Sequence, residues 1–435
     1  MKDGVPMDDI LPRLISCIGL FVMLMLGWGL GKNRDQINWR IVSSGLLAQL
    51  LLAIFVMRTE EGNALFTAIG SIFAGMLDFV DEGSAMVFGD NFTDFFFAFK
   101  VLPTIIFFSS LMAVLYYLNI IQPLVRFFAW AMRVTFRTSG AETLAVAANI
   151  FVGQTEAPLV VRPYVAAMTK SELMSLMVGG FATISGGILA AYIGMGIDAT
   201  HLVSASVISA PAALVIAKLL EPEIATPLTL GKAVSIEKTD SDPVNVVDAA
   251  ARGAGDGLSL ALNVGAMLIA FLALLAGVDW AVGFVGDICE RVFNAVSSDA
   301  DVDFQWGLAS MMGWFFAPLA WLMGIQWEEC SIAGELLGYK LFANEFIAYQ
   351  NLSELQASTD TALTPRTTVI LTYALCGFAN FGSIGIQLAG IGGIAPTRRS
   401  DLAKLAVRAM LGGTLAAFMT ACFAGILYGV PWDVI

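Results

Sequence analysis

Residues 149–164 read Asn-Ile-Phe-Val-Gly-Gln-Thr-Glu-Ala-Pro-Leu-Val-Val-Arg-Pro-Tyr. Asn149, Gln154, Thr155 and Glu156 set polar groups inside apolar sequence, between a helix-forming approach (141–150) and the run Leu159 to Val161. Gly153 and Pro158 can both break a helix there. In water such a stretch is an ordinary loop. In a bilayer, an ionisable residue on broken backbone marks a functional site.

Composition chooses between the two. Of 435 residues, 57% are hydrophobic and 14% charged, against about 25% charged in a soluble domain. An all-α polytopic membrane protein is expected. The first apolar run, 14–31, follows an acidic start with Asp3, Asp8 and Asp9 and no small-residue cleavage site, so it reads as a retained span rather than a signal peptide. The net charge of −13 argues against nucleic acid as a partner. Cys17, Cys289, Cys330, Cys376 and Cys422 form no C-x-x-C pair, so neither a disulfide framework nor a zinc site is indicated. His201, the single histidine, reads as interfacial.

Runs able to cross roughly 30 Å of hydrocarbon occur at 14–31, 41–57, 101–125, 173–197, 199–217, 257–278, 367–397 and 409–432. Eight spans are expected. The run 367–397 would measure about 46 Å as unbroken helix, so it is tilted or interrupted. The stretch 63–77, flanked by acids, reads as an interfacial or re-entrant helix. Two re-entrant hairpins are expected as well: 141–168, broken at Gly153–Glu156, and 304–345, interrupted by Pro318, Gly324 and Trp327-Glu328-Glu329. Irregular backbone survives at membrane depth only under cover of protein or a water-filled cavity.

Basic residues in short loops mark the cytoplasmic side: Lys32, Arg34 and Arg40, then Arg126, Arg133 and Arg137, then Arg398, Arg399, Lys404 and Arg408. The alternate loops are acidic, with Glu60, Glu61, Asp78, Asp81, Glu82, Asp90 and Asp94, and later Asp287, Glu290, Asp299, Asp301 and Asp303. Both termini then lie outside. An internal match, Gly180-Phe181-Ala182-Thr183-Ile184-Ser185 against Gly377-Phe378-Ala379-Asn380-Phe381-Gly382-Ser383, follows each hairpin. Hairpin, helix, helix thus occurs twice in opposite orientation, the inverted repeat of many secondary transporters.

Gln154, Thr155 and Glu156 offer amide, hydroxyl and carboxylate groups suited to a nucleobase edge or a sugar hydroxyl. Asn380 and Ser383 lie inside the over-long span, where they read either as ligand groups or as interhelical hydrogen-bonding residues. Glu345, in Ala-Asn-Glu-Phe, is the carboxylate nearest the second hairpin. No metal, nucleophile or cofactor motif accompanies Glu156 and Glu345, so a carrier is expected rather than an enzyme.

Asn-Ile-Phe-Val-Gly-Gln-Thr-Glu-Ala-Pro-Leu-Val, Ala-Asn-Glu-Phe at 343–346 and Cys-Gly-Phe-Ala-Asn-Phe-Gly-Ser-Ile at 376–384 resemble the concentrative nucleoside transporter family from about residue 92 onward. The resemblance implies a homotrimer in the plasma (inner) membrane that concentrates nucleosides such as uridine by alternating access. It implies a scaffold (1–137, with loop and sixth span over 223–303) and a mobile transport domain built from two repeats (138–222 and 304–435). By it Gln154, Thr155 and Glu156 contact the base, and Glu345, Asn380 and Ser383 hold the ribose. The family's sodium site falls on the Asn149 side chain, the Val152 carbonyl, the Thr183 hydroxyl and the Ile184 carbonyl. Thr183 stands where the family often has Ser. These four oxygens do not titrate near neutral pH and suit a hard cation, so Na+ is the expected coupling ion, with no organic cofactor. Because Glu156 can titrate, a proton-coupled nucleoside symporter is the alternative. Purine and pyrimidine substrates are not separated.

Overall fold

The computed structural model describes residues 7–232, 234, 243–296, 307–358 and 363–429. Asp299, Asp301 and Asp303 of the acidic loop, positions 233 and 235–242 of the long loop, and 430–432 of the last expected span lie outside them. Helices make up most of the described residues, with no strand among them. They are α1 (Met7–Leu30), α2 (Trp39–Arg58), α3 (Glu60–Phe88), α4 (Leu102–Tyr117), α5 (Ile121–Phe136), α6 (Gly140–Ala148), α7 (Ala157–Val160), α8 (Arg162–Val165) and α9 (Lys170–Ala182). The second half holds α10 (Gly186–Gly194), α11 (Ala199–Leu220), α12 (Val246–Val296), α13 (Leu308–Leu322), α14 (Cys330–Phe342), α15 (Glu345–Ala357), α16 (Pro365–Leu375), α17 (Phe381–Ile394) and α18 (Arg399–Leu427).

Many starts are set by short polar side chains that accept an otherwise orphaned first-turn N–H, each worth about 1 kcal/mol. Ser139 with Glu142 and Thr169 with Glu172 form reciprocal capping boxes at α6 and α9. Asn38, Thr59, Asn344, Thr364 and Asn380 cap α2, α3, α15, α16 and α17.

Among the described residues, eight helical stretches are long and apolar enough to cross a membrane. The number agrees with the sequence reading; the membership does not. Glu60–Phe88, expected to hold only a short helix at 63–77, is one continuous 29-residue helix. The expected span 101–125 instead stops at Tyr117 and turns through Asn119, whose φ of 59° lies in the left-handed region, into a separate α5. The sixth span, placed at 257–278, lies within the 51-residue α12. The 367–397 run is interrupted, as its length requires: α16 ends at Leu375 and α17 begins at Phe381. Span 173–197 is also broken, between α9 and α10 at Thr183–Ser185, although its length alone did not demand it.

The second hairpin needs correction too. A turn with Gly324 at φ 94° does join α13 to α14. The break that carries Glu345 comes later, at Ala343–Asn344 between α14 and α15. The repeat is therefore α6, tip, α7–α8, broken helix α9/α10, then α11; and α14, tip, α15, broken helix α16/α17, then α18.

Burial separates an inside from an outside. The most apolar windows of the α9/α10, α11 and α18 stretches are 94%, 100% and 89% buried, against 11–33% for α1, α2, α3, the stretch containing α4, and α12. The repeats form the centre, and the early helices with α12 wrap them.

Candidate functional site

The two broken helices meet at their breaks. Gly377 has a φ of 116°, and a Cβ there would stand 2.6 Å from the Phe181 carbonyl oxygen, so this crossing requires glycine. Lys340, buried on α14, donates to the Ala374 (2.7 Å) and Cys376 (3.3 Å) carbonyls. It thereby supplies a cation to the carboxyl end of α16, where helix carbonyls lack partners.

A cavity opens beside this crossing, lined by the first hairpin tip (Gly153 to Glu156), by Ser185 of the first break and Ile188 of α10, and by Asn344 of the second tip with Glu345 and Phe346 at the start of α15. Phe378, Asn380, Ser383 and Ile386 complete the second-break side, and Leu260, Val264 and Met267 of α12 form an apolar wall. All six residues expected at a substrate site, Gln154, Thr155, Glu156, Glu345, Asn380 and Ser383, line this one cavity. They come from positions up to 229 residues apart.

Their hydrogen bonds define what each can still do. Glu345 accepts from the Tyr192 hydroxyl (3.1 Å) on one oxygen and from Asn380 Nδ2 (2.8 Å) on the other. A carboxylate has about four acceptor positions, so capacity remains for a ligand. Asn380 Oδ1 caps α17 by accepting from the Ser383 N–H at 2.8 Å, so Asn380 makes an interhelical bond to Glu345 and also lines the cavity. Glu156 Oε2 accepts from the Gly153 N–H at 3.1 Å, closing the tip on itself, and its side chain is otherwise exposed to the cavity.

Beside the tip, the 149–153 segment runs along the first break. The Gly186 N–H donates to the Phe151 carbonyl (3.2 Å). Gly179 lies between Asn149, whose Nδ2 a Cβ there would approach to 3.3 Å, and Thr183, whose hydroxyl donates to the Gly179 carbonyl at 2.9 Å. Asn149 Nδ2 donates to Ala145 (3.2 Å), while its Oδ1 is buried with no hydrogen-bond partner. An unsatisfied buried amide oxygen is costly, and among the described residues the Val152 and Ile184 carbonyls accept no hydrogen bond either. These neutral oxygens, with the Thr183 lone pairs, fit a hard cation. No cluster of three or more His, Cys, Asp or Glu suited to a metal occurs among the described residues.

The sequence reading missed the α12 wall, Tyr192, Lys340 and Phe346. Tyr192 sits in apolar context and Phe346 reads as one more aromatic of the Ala-Asn-Glu-Phe motif, and only packing shows that they frame Glu345. Lys340 did carry a signal: a lone cation in an apolar segment.

Family profiles described as Na+ dependent nucleoside transporter N-terminus, nucleoside recognition (Gate) and Na+ dependent nucleoside transporter C-terminus match residues 18–91, 98–199 and 201–425. The chain is 43% identical to mouse solute carrier family 28 member 3 and 43% identical to mouse sodium/nucleoside cotransporter 1, over 97% and 96% of its length. It spans 60–64% of the length of these curated relatives. A solved structure of CNTnw in an inward-facing substrate-bound state superposes with a TM-score of 0.86 at 38% identity, covering 96% of this chain and 99% of that one. A CNTnw variant in an outward-facing state matches with a TM-score of 0.88 and the same coverage.

Proposed function

The chain belongs to the Na+-dependent, or concentrative, nucleoside transporter family, and from that premise we propose that it is a sodium-coupled symporter that concentrates nucleosides into the cell by alternating access of its central repeats. The observation that carries this reading is the convergence of the two hairpin tips and the two helix breaks on one cavity holding Gln154, Thr155, Glu156, Glu345, Asn380 and Ser383. The hairpin-1 groups take the base, and Glu345 with Ser383 takes the ribose, Asn380 holding Glu345 in place. Homotrimeric assembly in the inner membrane belongs to the same proposal, and native mass spectrometry in detergent counts the chains.

Asn149, Val152, Thr183 and Ile184 are the proposed sodium-holding residues. A cation among them supplies positive charge to the unsatisfied Asn149 oxygen and links tip to break. Because Asn149 and Glu156 flank one short segment, ordering it presents Gln154, Thr155 and Glu156 to the substrate. Linkage then requires sodium and nucleoside each to raise the other's affinity by the same factor.

Calorimetric nucleoside binding across a sodium titration tests this, beside uptake of labelled uridine into proteoliposomes. Asn149→Ala should raise the sodium concentration needed while nucleoside affinity recovers at saturation. Glu156→Gln should weaken nucleoside binding at every sodium concentration. Affinity lost in Asn149→Ala that no sodium restores would remove Asn149 from the ion site, and concentrative uptake driven by a proton gradient alone would replace sodium as the coupling ion.

A further inference from the structure

Behind the cavity wall lies a second amide. Gln387, on α17 two turns beyond Asn380, is buried, and its Nε2 donates to the Met177 carbonyl (3.1 Å) and to Gln154 Oε1 (3.1 Å). Gln387 does not line the cavity; Gln154 does.

The direction of this relay follows from chemistry. A backbone carbonyl has no proton, so only the NH2 end of Gln387 can face Met177. Reversing that amide would set two oxygens against each other at hydrogen-bond distance. With one Gln387 proton on Met177, the other points at Gln154, which must answer with its oxygen. The NH2 of Gln154 is then left as the part of its amide available to a ligand. The contact is built in: a Cβ on Gly180 would stand 2.8 Å from Gln387 Nε2 and 3.0 Å from Gln154 Cβ. Gln387 Oε1 is itself buried without a partner, so both of its hydrogen bonds are made by the NH2 end.

We propose that Gln387 is a positioning residue for substrate recognition, holding the Gln154 amide donor-first so that the site reads an acceptor edge of the base, such as a ring carbonyl oxygen. The proposal rests on the nucleoside reading above. It separates substrates by chemistry at the exocyclic group on C4 of a pyrimidine or C6 of a purine, where oxo bases (uridine, inosine) present an acceptor and amino bases (cytidine, adenosine) a donor.

Gln387→Glu inverts the relay in either protonation state. A carboxyl has at most one proton and Met177 takes it, so Gln154 must turn its NH2 toward residue 387 and its oxygen toward the ligand. Gln387→Met keeps the length, removes the donor and leaves Gln154 free to turn. Binding of uridine, cytidine, inosine and adenosine to the purified full-length chain and both variants, at saturating sodium, is the test. The oxo-to-amino affinity ratio should fall about five- to tenfold in Gln387→Glu, as expected for one exchanged hydrogen bond, and move toward one in Gln387→Met. If the glutamate variant does not fold, the methionine variant carries the test alone. A loss of affinity equal for all four nucleosides would make Gln387 merely structural and overturn the proposal, as would unchanged ratios. If the unaltered chain binds none of the four, the nucleoside reading fails first, and the proposal with it.

Discussion

Glu345 is the residue on which the ribose reading turns. Its two oxygens are held by Tyr192 and Asn380, so the carboxylate is aimed before any ligand arrives and needs little ordering on binding. A sugar hydroxyl that donates to it gains a charge-assisted bond. Removing that hydroxyl leaves buried polar groups short of a partner at about 1–3 kcal/mol. A 3′-deoxynucleoside should therefore compete at least several-fold less well than the ribonucleoside in a displacement assay; equal competition would move Glu345 out of the ribose site. Gln154, Thr155, Glu156 and Glu345 were legible in sequence because charge and amide groups stand out against apolar neighbours. Gln387 is just as polar, yet its role depends on Met177 and Gln154, 210 and 233 positions away.

At the scale of elements, the ends of the first repeat are locked by buried charge. Lys218 Nζ near the end of α11 donates to Glu142 Oε2 (2.6 Å) and Ser171 Oγ (2.9 Å), while the Ser139 hydroxyl donates to Glu172, so two capping boxes and one lysine join α6, α9 and α11. Both Lys218 and Glu142 are at most 3% exposed, and removing one partner of a buried pair costs about 3–5 kcal/mol because the other charge is stranded. Thermal unfolding in detergent should rank Lys218→Met well below the native chain, with Lys218→Met/Glu142→Gln recovering part of the loss. A double variant less stable than Lys218→Met by the full cost of Glu142→Gln alone would mean the two charges are not coupled. The breaks show how far an element can be read. Excess length exposed the α16/α17 interruption, whereas the α9/α10 break had a single sign, the likeness of 180–185 to 377–383. The repeat match lands on both interruptions.

At the scale of the molecule, orientation depends on α3. Its length and composition permit a crossing, but that would carry Arg126, Arg133 and Arg137 to the side opposite Lys32, Arg34 and Arg40, against the positive-inside bias. Its five acids, with Asp81 paired to Lys100 at 2.9 Å, favour a helix lying along the outer interface, with both termini outside. In a background lacking the exposed Cys17 and Cys289, Glu61→Cys and Asn91→Cys should both react with an impermeant maleimide applied to intact cells, and Arg133→Cys should not. Protection of Asn91→Cys would show that α3 crosses. The sequence by itself determined the class of molecule, the first polar tip and the repeat, because composition, a broken apolar run and a short internal match are local properties. Tertiary structure alone decided which helices form the centre, that α12 walls the cavity, and that residues 154, 345, 380 and 387 converge. In water an amphipathic stripe tells which face of a helix turns inward. Here lipid and protein interior are equally apolar, helix faces carry no such mark, and the pairing of faces is settled only by glycine-sized gaps such as Gly180 and Gly377 and by the few hydrogen bonds that close across them.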